Sequence, residues 1–367
     1  MLKEFRVKNF KGFNKELVLD LSADNYEFAV EATKNNIVNQ GLIYGHNGSG
    51  KSNLGLAIFD IVLNLTDKEK MLDRYNIFLN GDSNEKEASF QYTFHFLGKE
   101  AIYSYKKINA QEFTHEKLII DGNVMLDYDF VEDEGVSNFK GTENLKIKSQ
   151  DRKLSKLKFI KNNAILEDNE YNTIFDILMD YVDRMLLFYS LDQNRYQGLL
   201  LGSDQLDNAI IKAGYLKDFE RFLKKNDVDE TLVENEINGQ KIIFFKYRNA
   251  LYPFKDVASN GTKSLELFYY WYKQIEKASF VFIDEFDAFY HYEVSENIVK
   301  SMLNIPSVQC LMTTHNTDLL NNDLLRPDCY YNLENGKIKS FAKSTDKELR
   351  RIHNIQKMFK AGAFNEW

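Results

Sequence analysis

The stretch "GLIYGHNGSGKSNLGLAIFD", Gly41 to Asp60, decides how the rest of the chain is read. A short apolar run enters a glycine-dense turn. Lys51 and Ser52 follow, and then an apolar-periodic run with Leu54, Ile58 and Ile61 on one helical face. Glycine weakens strand and helix interiors alike, so Gly45, Gly48 and Gly50 between two regular elements predict a backbone curled for a purpose. Gly45 to Ser52 match GxxxxGK[ST] in full. In such a loop, successive N–H groups turn inward onto phosphate oxygens, and the following helix adds its positive end. Gly45, Asn47, Gly48, Ser49 and Gly50 are expected to form the cradle. Lys51 is expected to meet the β- and γ-phosphates, and Ser52 to place its hydroxyl on Mg²⁺. His46 fills a variable position and is assigned no chemistry.

Three more segments bear on the same site. "SFVFIDEFDAFYH" (Ser279–His291) carries an apolar strand to Asp284-Glu285. At the tip of a strand buried on both faces, Asp284 would bind the Mg²⁺ water shell and Glu285 would polarise an attacking water. An acidic pair capping a surface strand is the plainer alternative. "CLMTTHNTDLL" repeats the pattern, with Thr313, Thr314 and His315 at a strand end. His315 there can donate to the γ-phosphate or to the attacking water, against the plainer reading of a structurally satisfied histidine. In "VASNGTKSLELF", Ser259, Asn260 and Gly261 precede an amphipathic helix. Taken alone, this is a helix cap at Ser259 or Asn260, and also an anion-binding helix start.

The 367 residues are 44% hydrophobic and 28% charged, an ordinary globular composition with an aromatic-rich core from 28 Phe and 21 Tyr. A net charge of −8 argues against a surface coated in basic residues for nucleic acid, while leaving room for a local groove. Cys310 and Cys329 have no metal-ligand spacing and read as reduced thiols. No signal peptide and no membrane-length apolar run is read, so a soluble, cytoplasmic protein is expected.

Along the chain, Phe5, Val7 and Phe10 mark a first strand and Leu17, Leu19 and Leu21 a second, with a third ending near Tyr44. From Ser89 to Phe130 a β meander is predicted, with turns at Gly98 and at Asp121-Gly122, and is read as an appendage. Residues 139–235 are predicted to be a mainly helical insertion, with Ile174, Leu178, Tyr181 and Met185 at helical spacing. Its basic run "SQDRKLSKLKFIKNN" is read as a solvated helix face or loop ahead of a nucleic-acid site. A hairpin at Asn238-Gly239, a helix over Thr262 to Glu276, two buried strands (280–283 and 308–312) and a hairpin at Asn335-Gly336 complete the pattern. The division is therefore 1–138, 139–235 and 236–367.

In this order, the motifs resemble the ABC-type ATPase heads of the RecF/SMC/OLD group, most closely their stand-alone AAA-type relatives. A Walker A loop is similar to Gly45–Ser52, a signature motif to Ser259–Lys263, a Walker B acid pair to Asp284-Glu285, and a switch histidine to His315. The opening "FRVKNFKGFNKELVLDLS" and closing "HNIQKMFKAGAFNEW" are similar to that family's first hairpin and tail. There are departures. The signature reads Ser-Asn-Gly-Thr, the Q-loop glutamine is not evident (Gln91 or Gln193), and His291 stands where transport ABC proteins carry the D-loop aspartate. The resemblance implies an α/β P-loop ABC-type ATPase head carrying an antiparallel β meander and a mainly helical insertion. It also implies ATP and Mg²⁺ as cofactors, and a homodimer or higher homo-oligomer. Each ATP would be sandwiched between one chain's Walker A and the other's Ser259 and Gly261.

About fifty residues follow His315, and the six histidines show no HNH arrangement, so no second catalytic centre is read. The first functional expectation is an ATPase sensor or scaffold in anti-phage defence. It would control a separately encoded nuclease or toxin, as the resemblance to Septu-, PARIS- and abortive-infection-type components implies. The alternative is a RecF-like DNA-repair or DNA-loading ATPase that binds nucleic acid directly, for which Lys153, Lys156, Lys158 and Lys161 are the obvious cluster. A transport ATPase is the weakest reading, since no membrane segment is seen.

Overall fold

The computed structural model describes residues 1–68, 72–148, 151–190, 195–199 and 206–364. The phosphate-loop candidate joins the strand Gln40–Tyr44, buried at all five positions, to the helix Lys51–Leu65. In that helix only Ser52 and Asn53 keep partial exposure. A helix apolar on every side must be covered on every side, and two sheets do this.

One cover is a seven-stranded sheet. Its order is Arg195–Gly198, Met185–Tyr189, Phe280–Asp284, Gln309–Thr313, Gln40–Tyr44, Tyr330–Glu334 and Lys337–Ser340. The five central strands are parallel, and the two edge strands are antiparallel to their neighbours. The central strands are short apolar runs, as expected when both faces are buried. Gly55 lets the helix approach this sheet closely, since a Cβ there would stand 2.8 Å from Cε1 of Phe282.

The other cover is an antiparallel sheet, also of seven strands, running Glu134–Ser137, Asn123–Asp129, Phe113–Ile120, Lys99–Lys107, Ala88–Phe96, Leu2–Lys8 and Leu17–Asp20. The predicted meander is present, but it is not an appendage. Ala88–Phe96 pairs directly with Leu2–Lys8, so meander and first hairpin are one sheet. Its Tyr92 hydroxyl donates to Ala57 O, and its Tyr105 hydroxyl to Asp60. Between the two sheets, the Gln309 amide donates to Leu2 O and Val38 O and accepts from Leu2 N and the Tyr181 hydroxyl.

The helical reading of 139–235 holds only in part. Lys156–Asn163 and Glu170–Asp183 are helices, but Met185–Tyr189 is a central strand of the parallel sheet, paired with Phe280–Asp284. Met185 continues the helical spacing only by coincidence. A fully buried five-residue run cannot be told from a helix segment by periodicity. Helices Leu206–Lys212 and Leu216–Lys225 then pack against the helix Asn260–Tyr272, and the sheet Leu232–Ile237, Gln240–Lys246, Leu251–Pro253 packs on those two helices. Cys310 and Cys329 are buried and unbridged. Among the described residues, no helix is long and apolar enough to cross a membrane.

The tie between helix and antiparallel sheet is charged. Lys107 Nζ lies 3.0 Å from both carboxylate oxygens of Asp60 and 3.0 Å from Asn64 Oδ1, with Lys107 and Asp60 fully buried. Removing one member strands the other in the core. Lys107→Met is expected to lower stability by about 3–5 kcal/mol, and Asp60→Leu with Lys107→Met to recover much of it, as read by urea denaturation.

Candidate functional site

The loop geometry follows from its glycines. A Cβ on Gly45 would lie 2.5 Å from Leu333 O, and Gly50, with φ +105°, caps the helix where the ring of Phe13 packs against it. Asn47, Gly48, Gly50, Lys51, Ser52, Asn53 and Glu285 line a hollow of ≈ 460 Å³. Ser49 N donates to His46 O and closes the turn.

Parallel pairing brings the other strand ends alongside. Asp284 is buried; the Thr313 hydroxyl donates to its carboxylate at 2.8 Å, and the Ser52 side chain acts on it as well. Burial holds the Asp284 carboxyl above its usual range, the Glu285 charge adds to this, and Ser52, Thr313 and Lys51 oppose it. Glu285 follows with φ 48°, a strained left-handed conformation for a glutamate, and its N–H donates to Thr313 Oγ1 at 2.7 Å. Thr313 therefore holds the Asp284 carboxylate and the Glu285 backbone through one hydroxyl.

Lys51 Nζ donates to Gly45 O at 2.9 Å and meets His315 Nε2 at 2.8 Å. An ammonium only donates, so Nε2 is the acceptor of this contact. Glu285 Oε1 lies 3.6 Å from the same nitrogen. Burial lowers the Lys51 ammonium, against the pull of Glu285, Asp284 and Asp287.

All the residues expected in the phosphate cradle and the two strand tips therefore meet. Ser259 and Gly261 do not line this hollow. Ser259 caps the Asn260–Tyr272 helix, its Oγ accepting from Thr262 N at 3.1 Å, and a Cβ on Gly261 would stand 2.8 Å from Phe289 O. Gln91 lies on the antiparallel sheet between Arg6 and Ser104. Gln193 lies outside the described residues.

Sequence reasoning placed Thr313 and Thr314 at the strand end without giving them a role, and missed Asp287. Thr314 Oγ1 donates to Asp287 Oδ2 at 2.6 Å, and burial pushes the Asp287 carboxyl up. The signal was present as a third acid three residues after Asp284, facing a Thr-Thr pair. Of the four lysines in the basic run, Lys153 is exposed and the other three are engaged within the chain. Lys156 is buried, with its ammonium over the rings of Tyr128 and Phe130, Lys158 pairs with Asp67, and Lys161 pairs with Asp176.

Fold and site together define an α/β P-loop nucleotide-binding head. Residues 42–321 match the family described as "AAA domain, putative AbiEii toxin, Type IV TA system", and the chain belongs to that family. No curated protein matches it. Similar solved structures include the Smc head bound to the C-winged helix domain of ScpA, at 14% identity and TM-score 0.49 over 92% of this chain and 96% of that one. Another is the SMC head domain from Thermotoga maritima, at 15% identity and TM-score 0.41 over 92% and 97%. A third is a Smc head with an extended coiled coil bound to the C-terminal domain of ScpA derived from Pyrococcus furiosus, at 13% identity and TM-score 0.46 over 93% and 97%.

Two outcomes are expected. Thr313→Val removes the partner of two buried polar groups and should cost about 1–3 kcal/mol in chemical denaturation, while Thr313→Ser should keep most of it. Glu266, buried in the Asn260–Tyr272 helix, is pushed up to about 8, first by burial and then by a hydrogen bond with Asp207, against Lys255 at 2.6 Å. The folded state keeps a proton that the unfolded chain releases above the ordinary value of 4.5. Stability should therefore fall as pH rises from there through about 8 and then level off. Thermal melts of Glu266→Gln should show that slope flattened.

Proposed function

We propose that the chain is an ABC-type ATPase that works as a nucleotide-dependent sensor or scaffold, controlling a separately encoded nuclease or toxin in anti-phage defence. The observation that carries the ATPase reading is the meeting of Lys51, Ser52, Asp284, Glu285 and His315 at one phosphate loop. The loop N–H groups and Lys51 hold the phosphates. The contact between the Ser52 hydroxyl and the Asp284 carboxylate is a hard-oxygen pair that suits Mg²⁺, which is commonly bound through one or two protein ligands plus phosphates. When bound, Mg²⁺ supplies charge neutralisation at the phosphates. Glu285 orients the attacking water, and His315 stands within reach of the γ-phosphate once Lys51 turns to the nucleotide.

Ser259 and Gly261 complete a site only if a second copy presents them, so the working form is an ATP-dependent homodimer or higher homo-oligomer. The family's description, a putative toxin of a Type IV toxin–antitoxin system, supports a place in a two-component system. Direct binding of DNA draws no support from Lys156, Lys158 and Lys161, which are already engaged within the chain.

Lys51→Ala is expected to abolish ATP binding and to cut turnover roughly a hundredfold or more. Glu285→Gln should hold ATP and scatter light as a dimer with ATP but as a monomer without it. Glu285→Gln that stays monomeric in both conditions removes the sandwich, and wild-type protein that neither binds nor cleaves Mg-ATP removes the ATPase reading.

A further inference from the structure

His315 is an exposed member of the site, yet its place is set from both sides by a single hydroxyl. Thr314 Oγ1 donates to Asp287 Oδ2 at 2.6 Å and accepts from Asn316 N at 2.9 Å, so a turn closes across His315. Thr314 N donates to Ile43 O beside the phosphate loop, and Asn316 O accepts from the Tyr44 hydroxyl. Each of these groups is therefore held, and the Thr314–Asp287 hydrogen bond ties the histidine turn to the loop after Asp284, beside the 3.6 Å approach of His315 Nε2 to Glu285 Oε1.

That loop has a second duty. Ala288 N donates to Glu285 O and Tyr290 N to Asp287 O, so residues 285–290 form a tight turn. The Phe289 carbonyl at its tip rests on Gly261, where even a Cβ would come within 2.8 Å. The start of the Asn260–Tyr272 helix, Asp287, Thr314 and His315 thus form one continuous run of contacts. The bare glycine at 261 is what allows the two ends of the run to touch.

We infer that Asp287 and Thr314 are positioning residues that set His315 according to the placement of the Ser259–Gly261 helix start. The inference rests on the ATPase reading. It assigns to this pair the step by which engagement of the helix start by a second copy is felt at the chain's own hydrolytic site. Asp287 acts as a hydrogen-bond acceptor in this role, touching neither nucleotide nor water.

The test is steady-state ATP hydrolysis by the full chain, with nucleotide affinity measured separately. Thr314→Val and Asp287→Ala should each lower kcat roughly ten- to a hundredfold, with KM and ATP affinity within about twofold of wild type. Thr314→Ser and Asp287→Asn, which keep a donor and an acceptor, should stay near the wild-type kcat. The double variant Thr314→Val with Asp287→Ala should be no slower than either single one, because both remove the same bond. Unchanged kcat in both single variants, losses that multiply in the double, or a Thr314→Ser as slow as Thr314→Val overturns the inference. Should Thr314→Val fail to fold, Asp287→Ala against Asp287→Asn decides alone. None of these results touches the ATPase reading, which stands or falls on Lys51→Ala and on wild-type turnover.

Discussion

The site exists because parallel strands end level with one another. Tyr189 pairs with Asp284, Ile283 with Met312, and Thr313 with Ile43, so four strand tips from distant parts of the sequence form one line beside the phosphate loop. Level ends need a sheet that cannot slip. A one-residue slip would turn Asp284 and Thr313 from the site into the packing layers, at the cost of every buried contact on both faces. The helix Lys51–Leu65 enforces this by being buried on all sides, with Asp60 fastened to one sheet and Gly55 pressed on the other. The phosphate loop is the exposed end of an element that has no freedom to rotate.

Polar groups inside this frame are used for placement. Thr313 has no exposed surface, and its hydroxyl is shared between the Asp284 carboxylate and the Glu285 N–H. Glu285 is held at φ 48° by that bond and by the pairing of Phe286 N with Thr313 O. A strained residue persists only where its surroundings over-determine it, and here the second strand supplies the determinants. The glutamate therefore leaves the strand at a sharp angle, toward the hollow and His315, while the aspartate before it stays buried against Ser52.

Much of this was legible in the sequence. The phosphate loop, the Asp284-Glu285 and His315 strand ends, and the hairpins at Asp121-Gly122, Asn238-Gly239 and Asn335-Gly336 each depend on local chemistry with a short-range signature, and the structure shows each of these elements. What stayed hidden depends on pairing between distant segments. That Ala88–Phe96 adds to Leu2–Lys8, or that Met185–Tyr189 sits beside Phe280–Asp284, is a matter of tertiary register with no local mark. The lysines of "KLSKLKFIKNN" illustrate the same limit. Their charge is visible in the sequence, but their partners, the Tyr128 and Phe130 rings, Asp67 and Asp176, are contributed by other elements. Asp287 and Thr314 were readable as residue types but not as a pair.

The charge balance of the hollow bears on how a nucleotide enters it. Asp284, Glu285 and Asp287 act on one lysine whose ammonium is already lowered by burial and committed to Gly45 O and His315 Nε2. Burial also holds Asp284 and Asp287 above their usual range, so two of the three acids resist ionising together. Under the ATPase reading, a bare polyphosphate would meet like charge at Asp284. Ser52 and Asp284 would hold a divalent cation that offsets that charge, and Lys51 would exchange Gly45 O for a phosphate oxygen. Both changes free His315 Nε2 from its present donor and leave it facing Glu285. Loop, carboxylates and histidine are thus tied through Lys51, so a change at any one of them is felt at the others.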